Sequence, residues 1–179
     1  MAATTLQHLT CVYTDAVLSV LRPLIQEERK RVLLIGRSYG GWVATEAAKP
    51  DLQVNNRKAQ SHAGGVIGIL YIGAFIIPEG ESVHSFFQPK DGSFLVPPFD
   101  EFHKHGVAGL ATPKDADKFF FNGLDPREAL EWAATLTASP TPITKLSNDA
   151  YAELPCAYLI LTISNSRVHS NNNPRHLTT

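Results

Sequence analysis

A chain of 179 residues is long enough for one domain with a real core. With 44% hydrophobic and 18% charged residues and a net charge of −1, it has the composition of an ordinary globular protein. That balance argues against a nucleic-acid surface, because no basic cluster exceeds Arg29-Lys30-Arg31. No apolar run is long enough to span a membrane.

The first ten residues are polar and contain no apolar signal core, which predicts a cytoplasmic protein. Cys11 and Cys156 are too few and too scattered for a disulfide framework or a zinc site, and both are predicted to be buried thiols. Residues 10–28 read as an amphipathic helix. Val12, Ala16, Val17, Val20, Leu21, Leu24 and Ile25 recur near helical spacing, and Pro23 interrupts the pattern. Residues 32–35, Val-Leu-Leu-Ile, are apolar without alternation, as in a parallel strand buried on both faces.

Gly36-Arg37-Ser38-Tyr39-Gly40-Gly41 follows directly, and residues 42–49 form helix easily. Strand, Gly-x-Ser-x-Gly turn and helix together have the form of a nucleophile elbow. In that reading Ser38 occupies a strained backbone conformation that projects its hydroxyl above the sheet. Gly36 and Gly40 are predicted where a side chain would collide, and the Tyr39 backbone N–H is the oxyanion donor. The plainer alternative is a glycine-rich turn with no chemistry.

Residues 51–63 are polar and predict a surface loop with at most a short helical piece. Gly64-Gly65 lead into a second buried strand, residues 66–73, which predicts a right-handed βαβ unit. Neither a Walker lysine nor a GxGxxG opening a helix is present, so no nucleotide cofactor is predicted; nor is a metal. From residue 79 the texture changes to prolines, glycines and scattered phenylalanines. Helices are predicted at 114–122 and 125–137. The second starts with an Asp125-Pro126 cap, has Glu128 three residues on, and carries an apolar face of Ala129, Trp132, Ala133 and Leu136. Residues 157–163 are the third strand. The polar residues 164–179 have no core-forming pattern and predict a disordered tail.

Several of these stretches resemble the α/β-hydrolase superfamily, nearest its branch of methylesterases, hydroxynitrile lyases and fungal relatives. They are the elbow at 36–41, Ile69-Leu70-Tyr71-Ile72-Gly73-Ala74-Phe75-Ile76-Ile77-Pro78-Glu79-Gly80-Glu81-Ser82, the helical stretches around 119–124 and 128–132, and residues 155–162. The resemblance covers about residues 5–162. It implies a partial α/β-hydrolase fold of parallel strands with flanking helices. Residues 1–78 are the core with the elbow, 79–150 a cap insertion, 151–163 a return to a core strand, and 164–179 the tail. Ser38 and the Tyr39 N–H are the carried-over site residues, and the partner is a small-molecule ester or an apolar ligand.

The resemblance also implies parts that this sequence does not supply. The family has an upstream loop with a second oxyanion N–H, an aspartate after the strand matching 157–162, and a histidine in a Gly-His segment. Here Thr162-Ile163-Ser164-Asn165 contain no carboxylate. His8 and His62 lie in polar stretches, and His84, His103 and His105 in the insertion. His169 and His176 follow the last strand without a scaffold around them. Asp149 and Glu153 precede the third strand, at the wrong end for an active site. Asp91, Asp100, Asp115, Asp117 and Asp125 read as surface and capping residues. Trp42, Phe75, Phe86, Phe87 and Trp132 are either pocket walls or ordinary packing, the latter being favoured. The expectation is a serine-hydrolase lineage whose chain, as written, is impaired or inactive. The alternatives are a non-catalytic ligand-binding module and a truncated gene product.

Overall fold

In the computed structural model, which describes residues 2–161 except 92, 94, 97 and 142, with side chains from residue 12 on, two parallel strands lie side by side at the centre. Helix α1 (Ala2–Gln26) leads into β1 (Arg31–Arg37), and α2 (Tyr39–Ala47) follows one residue later. A 3-10 turn (Pro50–Leu52) and α3 (Val54–Ala59) then lead to β2 (Gly65–Ile72). Strand β6 (Cys156–Leu159) completes a parallel sheet in the order β1-β2-β6. Arg31 pairs with Gly65 and Arg37 with Ile72, with one register shift between Val32 and Leu33. The expected strand–helix–strand unit is therefore present, inside a partial α/β fold. No helix among the described residues is long and apolar enough to cross a membrane.

The core lies on one side of this sheet. Leu21 and Ile25 of α1 pack with Ala44, Ala47 and Ala48 of the α2 region and with Leu52, Val66, Ile69 and Tyr71. Val32 and Leu34 face this cluster, whereas the alternating Leu33 and Ile35 are 51% and 61% exposed. The expectation of a strand buried on both faces is thus corrected for β1. An apolar run without alternation is compatible with either arrangement, and among the described residues helices cover one face only. Exposure of Val12 and Val20 likewise narrows the buried stripe of α1. Residues 51–63 are also less loop-like than expected. Leu52, Gln53 and Arg57 are buried, and Gln53 Nε2 donates to the Ala48 carbonyl at 3.0 Å.

Segment 79–150 holds what periodicity did not reveal, a small antiparallel sheet of β3 (Asp100–Phe102), β4 (Leu110–Pro113) and β5 (Ser139–Pro140). Its two expected helices are shorter than predicted, α5 (Ala116–Phe119) and α6 (Pro126–Ala133), and a further short helix, α4 (Val83–Phe86), precedes them. Asp125 caps α6 as expected, its Oδ1 accepting from the Arg127 N–H at 2.9 Å. Glu128 does not close a capping box and instead accepts from Trp132 Nε1 at 3.4 Å. Ala129 is buried but Trp132 is exposed, so the predicted apolar face of α6 is only partly used.

The segment is tied back to α2 at its far end. The buried Glu46 accepts from the Ser147 N–H at 2.8 Å and the Ser147 hydroxyl at 2.6 Å, and pairs with Lys49. Asn148 Nδ2 donates to the carbonyls of Thr45 and Ala48 at 2.8 and 2.9 Å, adding a donor to two acceptors at the end of α2. Strand β6 is exposed along its length, including Cys156, so the expectation of a buried thiol there is also corrected. The side chain of Cys11 and the predicted tail at 164–179 lie outside the described residues.

Candidate active site

Between β1 and α2 stands Ser38 alone, with φ +52° and ψ −126°. Non-glycine residues rarely adopt positive φ, and such strain persists only where the surroundings over-determine it. The surroundings here are tight and mostly backbone. A Cβ on Gly36 would lie 2.6 Å from the Gly40 carbonyl oxygen and 2.7 Å from the Gly41 Cα. One on Gly41 would lie 2.7 Å from the Ala74 Cβ and 3.0 Å from the Phe75 carbonyl oxygen. Gly40, by contrast, has open space where its side chain would be. The steric requirement expected at Gly36 and Gly40 therefore falls on Gly36 and Gly41, because α2 crosses the exit of β2 at its third residue.

Two hydrogen bonds hold the turn. The Ser38 carbonyl accepts from the Gly41 N–H at 3.1 Å and from the Phe75 N–H at 3.0 Å. Beneath it Thr45 Oγ1 donates to the Gly41 carbonyl at 2.9 Å and lies 2.7 Å from the Tyr71 hydroxyl. Burial raises the Tyr71 pKa well above the usual phenol range, so this hydroxyl stays neutral. The strand exit is pinned in turn by Tyr158, whose hydroxyl donates to the Ala74 carbonyl at 2.9 Å, and by Tyr151, which does the same to Ile77 at 2.9 Å. The Ser38 side chain makes no capping bond to α2.

A sequence model of the α/β hydrolase family matches residues 3–177 of the chain. The protein belongs to the α/β hydrolase family. It is 29% identical over 155 residues to the alpha/beta hydrolase nvfD of Aspergillus novofumigatus, an alignment covering 83% of this chain and 58% of that protein. This α/β hydrolase chain thus spans less than two thirds of the length of that relative.

Around the elbow of this hydrolase the aromatic candidates divide. Trp42 is fully buried and stacks on Tyr39, with ring centres 5.4 Å apart and planes 7° from parallel, so it is core. Phe75 and Phe87 meet edge to face at 5.6 Å, and Phe86 and Phe87 at 5.2 Å, forming a half-exposed cluster that begins at the residue bonded to Ser38. Trp132 lies on α6 and is exposed.

The titratable candidates are dispersed. His103 Nε2 lies 2.6 Å from the Thr112 hydroxyl across the β3–β4 pair, and His105 sits at a left-handed turn with φ +82°. His84 is half-buried on α4, and burial pushes its imidazole pKa below the usual range. His62 lies in the turn after α3. Asp115 pairs with Lys118, and Asp91 accepts from Ser93; both carboxyls are held below their ordinary range by those hydrogen bonds. Asp149 accepts from the Tyr151 N–H at 3.2 Å. Among the described residues no histidine or carboxylate hydrogen-bonds the Ser38 hydroxyl, and no cluster of three His, Cys, Asp or Glu residues could hold a metal. The side chain of His8, and all of Ser164, Asn165, His169 and His176, lie outside the described residues. Sequence reasoning missed the Phe75 amide and the Glu46–Ser147–Asn148 tether. The Gly40-Gly41 doublet was the available signal for the close strand exit.

Proposed function

We propose that Ser38 is the nucleophile of an acyl-transfer site for small carboxylic esters and that the Tyr39 backbone N–H is one of its oxyanion donors. The observation that carries this reading is the positive φ of Ser38 between a parallel strand and a helix, at a turn where a side chain at Gly36 or Gly41 would collide with its neighbours. In such a step Ser38 Oγ bonds to the acyl carbon, its proton passes to a base, and the alcohol leaves with a proton as the acyl-serine forms. Water then releases the acid and restores the serine.

Activation of the serine needs a base within hydrogen-bond reach, and none of the described side chains supplies one. A site built from the described side chains alone would capture acyl or phosphonyl reagents slowly and turn over poorly. Loss of triad members leaves rates lower by on the order of 10⁴-fold or more. The exposed Phe75–Phe87–Phe86 cluster favours an ester with an apolar portion.

A fluorophosphonate probe followed by peptide mapping tests both parts. Slow, stoichiometric labelling confined to Ser38, and lost in Ser38→Ala, is the expected result. No labelling, or labelling elsewhere, overturns the nucleophile. Labelling within seconds would overturn the impairment.

A further inference from the structure

The end of the sheet opposite the elbow carries a second feature. A cleft of about 260 Å³ is lined by Gln26, Arg29, Arg57, Ser61, His62 and Ala63. No Asp or Glu lines it. Arg57 is the unusual member, being only 8% exposed although it carries a permanent charge. Its Nη2 donates to the carbonyls of Ala63 at 3.0 Å and Ile25 at 3.4 Å, while its Nε is buried without a hydrogen-bond partner. No carboxylate lies within ion-pair distance of Arg57 or Arg29 among the described residues, where the arginines that do pair are Arg22 and Arg127.

A buried charge is normally compensated by a counter-charge. Capping two carbonyls accounts for one nitrogen of Arg57. It explains neither the orphaned Nε nor the second arginine and the histidine beside it.

The cleft walls are preformed. Arg29 and Ser61 sit at positive φ, +56° and +61°, in the turns that bound it. The two turns are locked together: the Gly65 N–H donates to the Lys30 carbonyl at 2.9 Å, and a Cβ on Gly64 would lie 2.7 Å from the Arg29 carbonyl carbon. Every polar side chain on the lining can donate a hydrogen bond, and two carry fixed positive charge. Guanidinium forks match tetrahedral and planar oxyanions geometrically.

We infer that this cleft, formed by Arg29, Arg57, His62, Gln26 and Ser61, is an anion-binding site for a phosphate group, free or borne by a small metabolite. It lies one strand length from Ser38, on the order of 20 Å along β1. The inference is independent of the catalytic reading.

Inorganic phosphate, titrated into the full chain at ionic strength held constant with KCl, tests the site by calorimetry and by thermal unfolding. Saturable binding and a rising Tm are expected, with matched chloride giving neither. Arg29→Ala and His62→Ala should each weaken phosphate binding by about tenfold or more, from the strength of charge-assisted hydrogen bonds, and Arg22→Ala, outside the cleft, should leave it unchanged. Arg57→Lys keeps the charge but loses the fork, and should weaken binding as well. If that variant does not fold, the Arg29 and His62 variants decide. A hexose phosphate binding more tightly than inorganic phosphate would assign the site to a metabolite, and equal affinities would assign it to the free ion. Absence of saturable binding, or wild-type affinity in both Arg29→Ala and His62→Ala, overturns the site.

Discussion

The elbow and segment 79–150 are built by opposite means. At the elbow, glycine backbone is packed tightly: Gly36 lies against the backbone of Gly40 and Gly41, Gly41 lies against the Ala74 methyl and the Phe75 carbonyl, and carbonyls and amides bond directly. In segment 79–150 the described elements are short, and the segment is fastened at its end by side chains, through Ser147 and Asn148 to α2. A region of the first kind fails all at once when a side chain is added. One of the second kind loses its attachments individually.

The largest effect should follow from adding bulk at the elbow. Gly41→Val places atoms inside backbone and the Ala74 methyl, and should cost about 5 kcal/mol or more, beyond the roughly 1–3 kcal/mol of ordinary overpacking. Gly40→Ala, with open space, should change Tm little. Equal losses in the two variants, measured by denaturant unfolding, would break the account of which glycine is needed.

Next in size is the two-faced β1 sheet. Ile25→Ala removes a fully buried side chain and should cost about 2–5 kcal/mol. Ile35→Ala, on the uncovered face, should cost far less, within roughly 0.5 kcal/mol of a surface substitution. Similar costs in the same unfolding assay would mean that something covers the second face in solution.

Cutting a tether is milder. Asn148→Ala leaves the Thr45 and Ala48 carbonyls without this donor and should cost about 1–3 kcal/mol. Limited proteolysis should then open segment 79–150 before α2. Simultaneous cleavage of both would show that the two regions unfold as one.

The smallest effect is on pH dependence. Burial lowers the His84 pKa in the folded state, so the unfolded chain binds the proton more readily. Stability should therefore fall as pH drops below the ordinary histidine value of about 6.5 towards the folded-state value. His84→Gln should flatten that part of the stability–pH curve. An unchanged slope would remove His84 from the account.

The elbow was legible because its geometry is local. A strand, one serine and closely spaced glycines within eleven residues leave few backbone paths, and Ser38 has the strained conformation that they imply. Even so, the motif pointed to Gly40, since the crossing of β2 over Gly41 depends on residues more than thirty positions away. The parallel pairing of β1 and β2 was readable from two apolar runs around a helix. Which faces are covered was not, because an unalternating run says that a strand is apolar and nothing about what packs on it. In segment 79–150, the Asp125-Pro126 cap was correct because it needs only adjacent residues. The β3–β4–β5 sheet went unseen because strands of two to four residues carry no period to detect. Arg57 was similarly hidden: its burial comes from the closure of two distant turns, in a stretch whose composition suggests solvent.

The bond from Phe75 to Ser38 has one more consequence. The Ser38 carbonyl and the Tyr39 N–H belong to a single planar, trans peptide unit, and the described chain contains no cis bond. Fixing the carbonyl with two donors therefore fixes the direction of the N–H, which points the opposite way. A crankshaft rotation of that peptide, the simplest motion that would misaim the amide, has to break the bonds from both Gly41 and Phe75. The orientation of the Tyr39 amide is thus set in part from the exit of β2, through the main-chain N–H of Phe75.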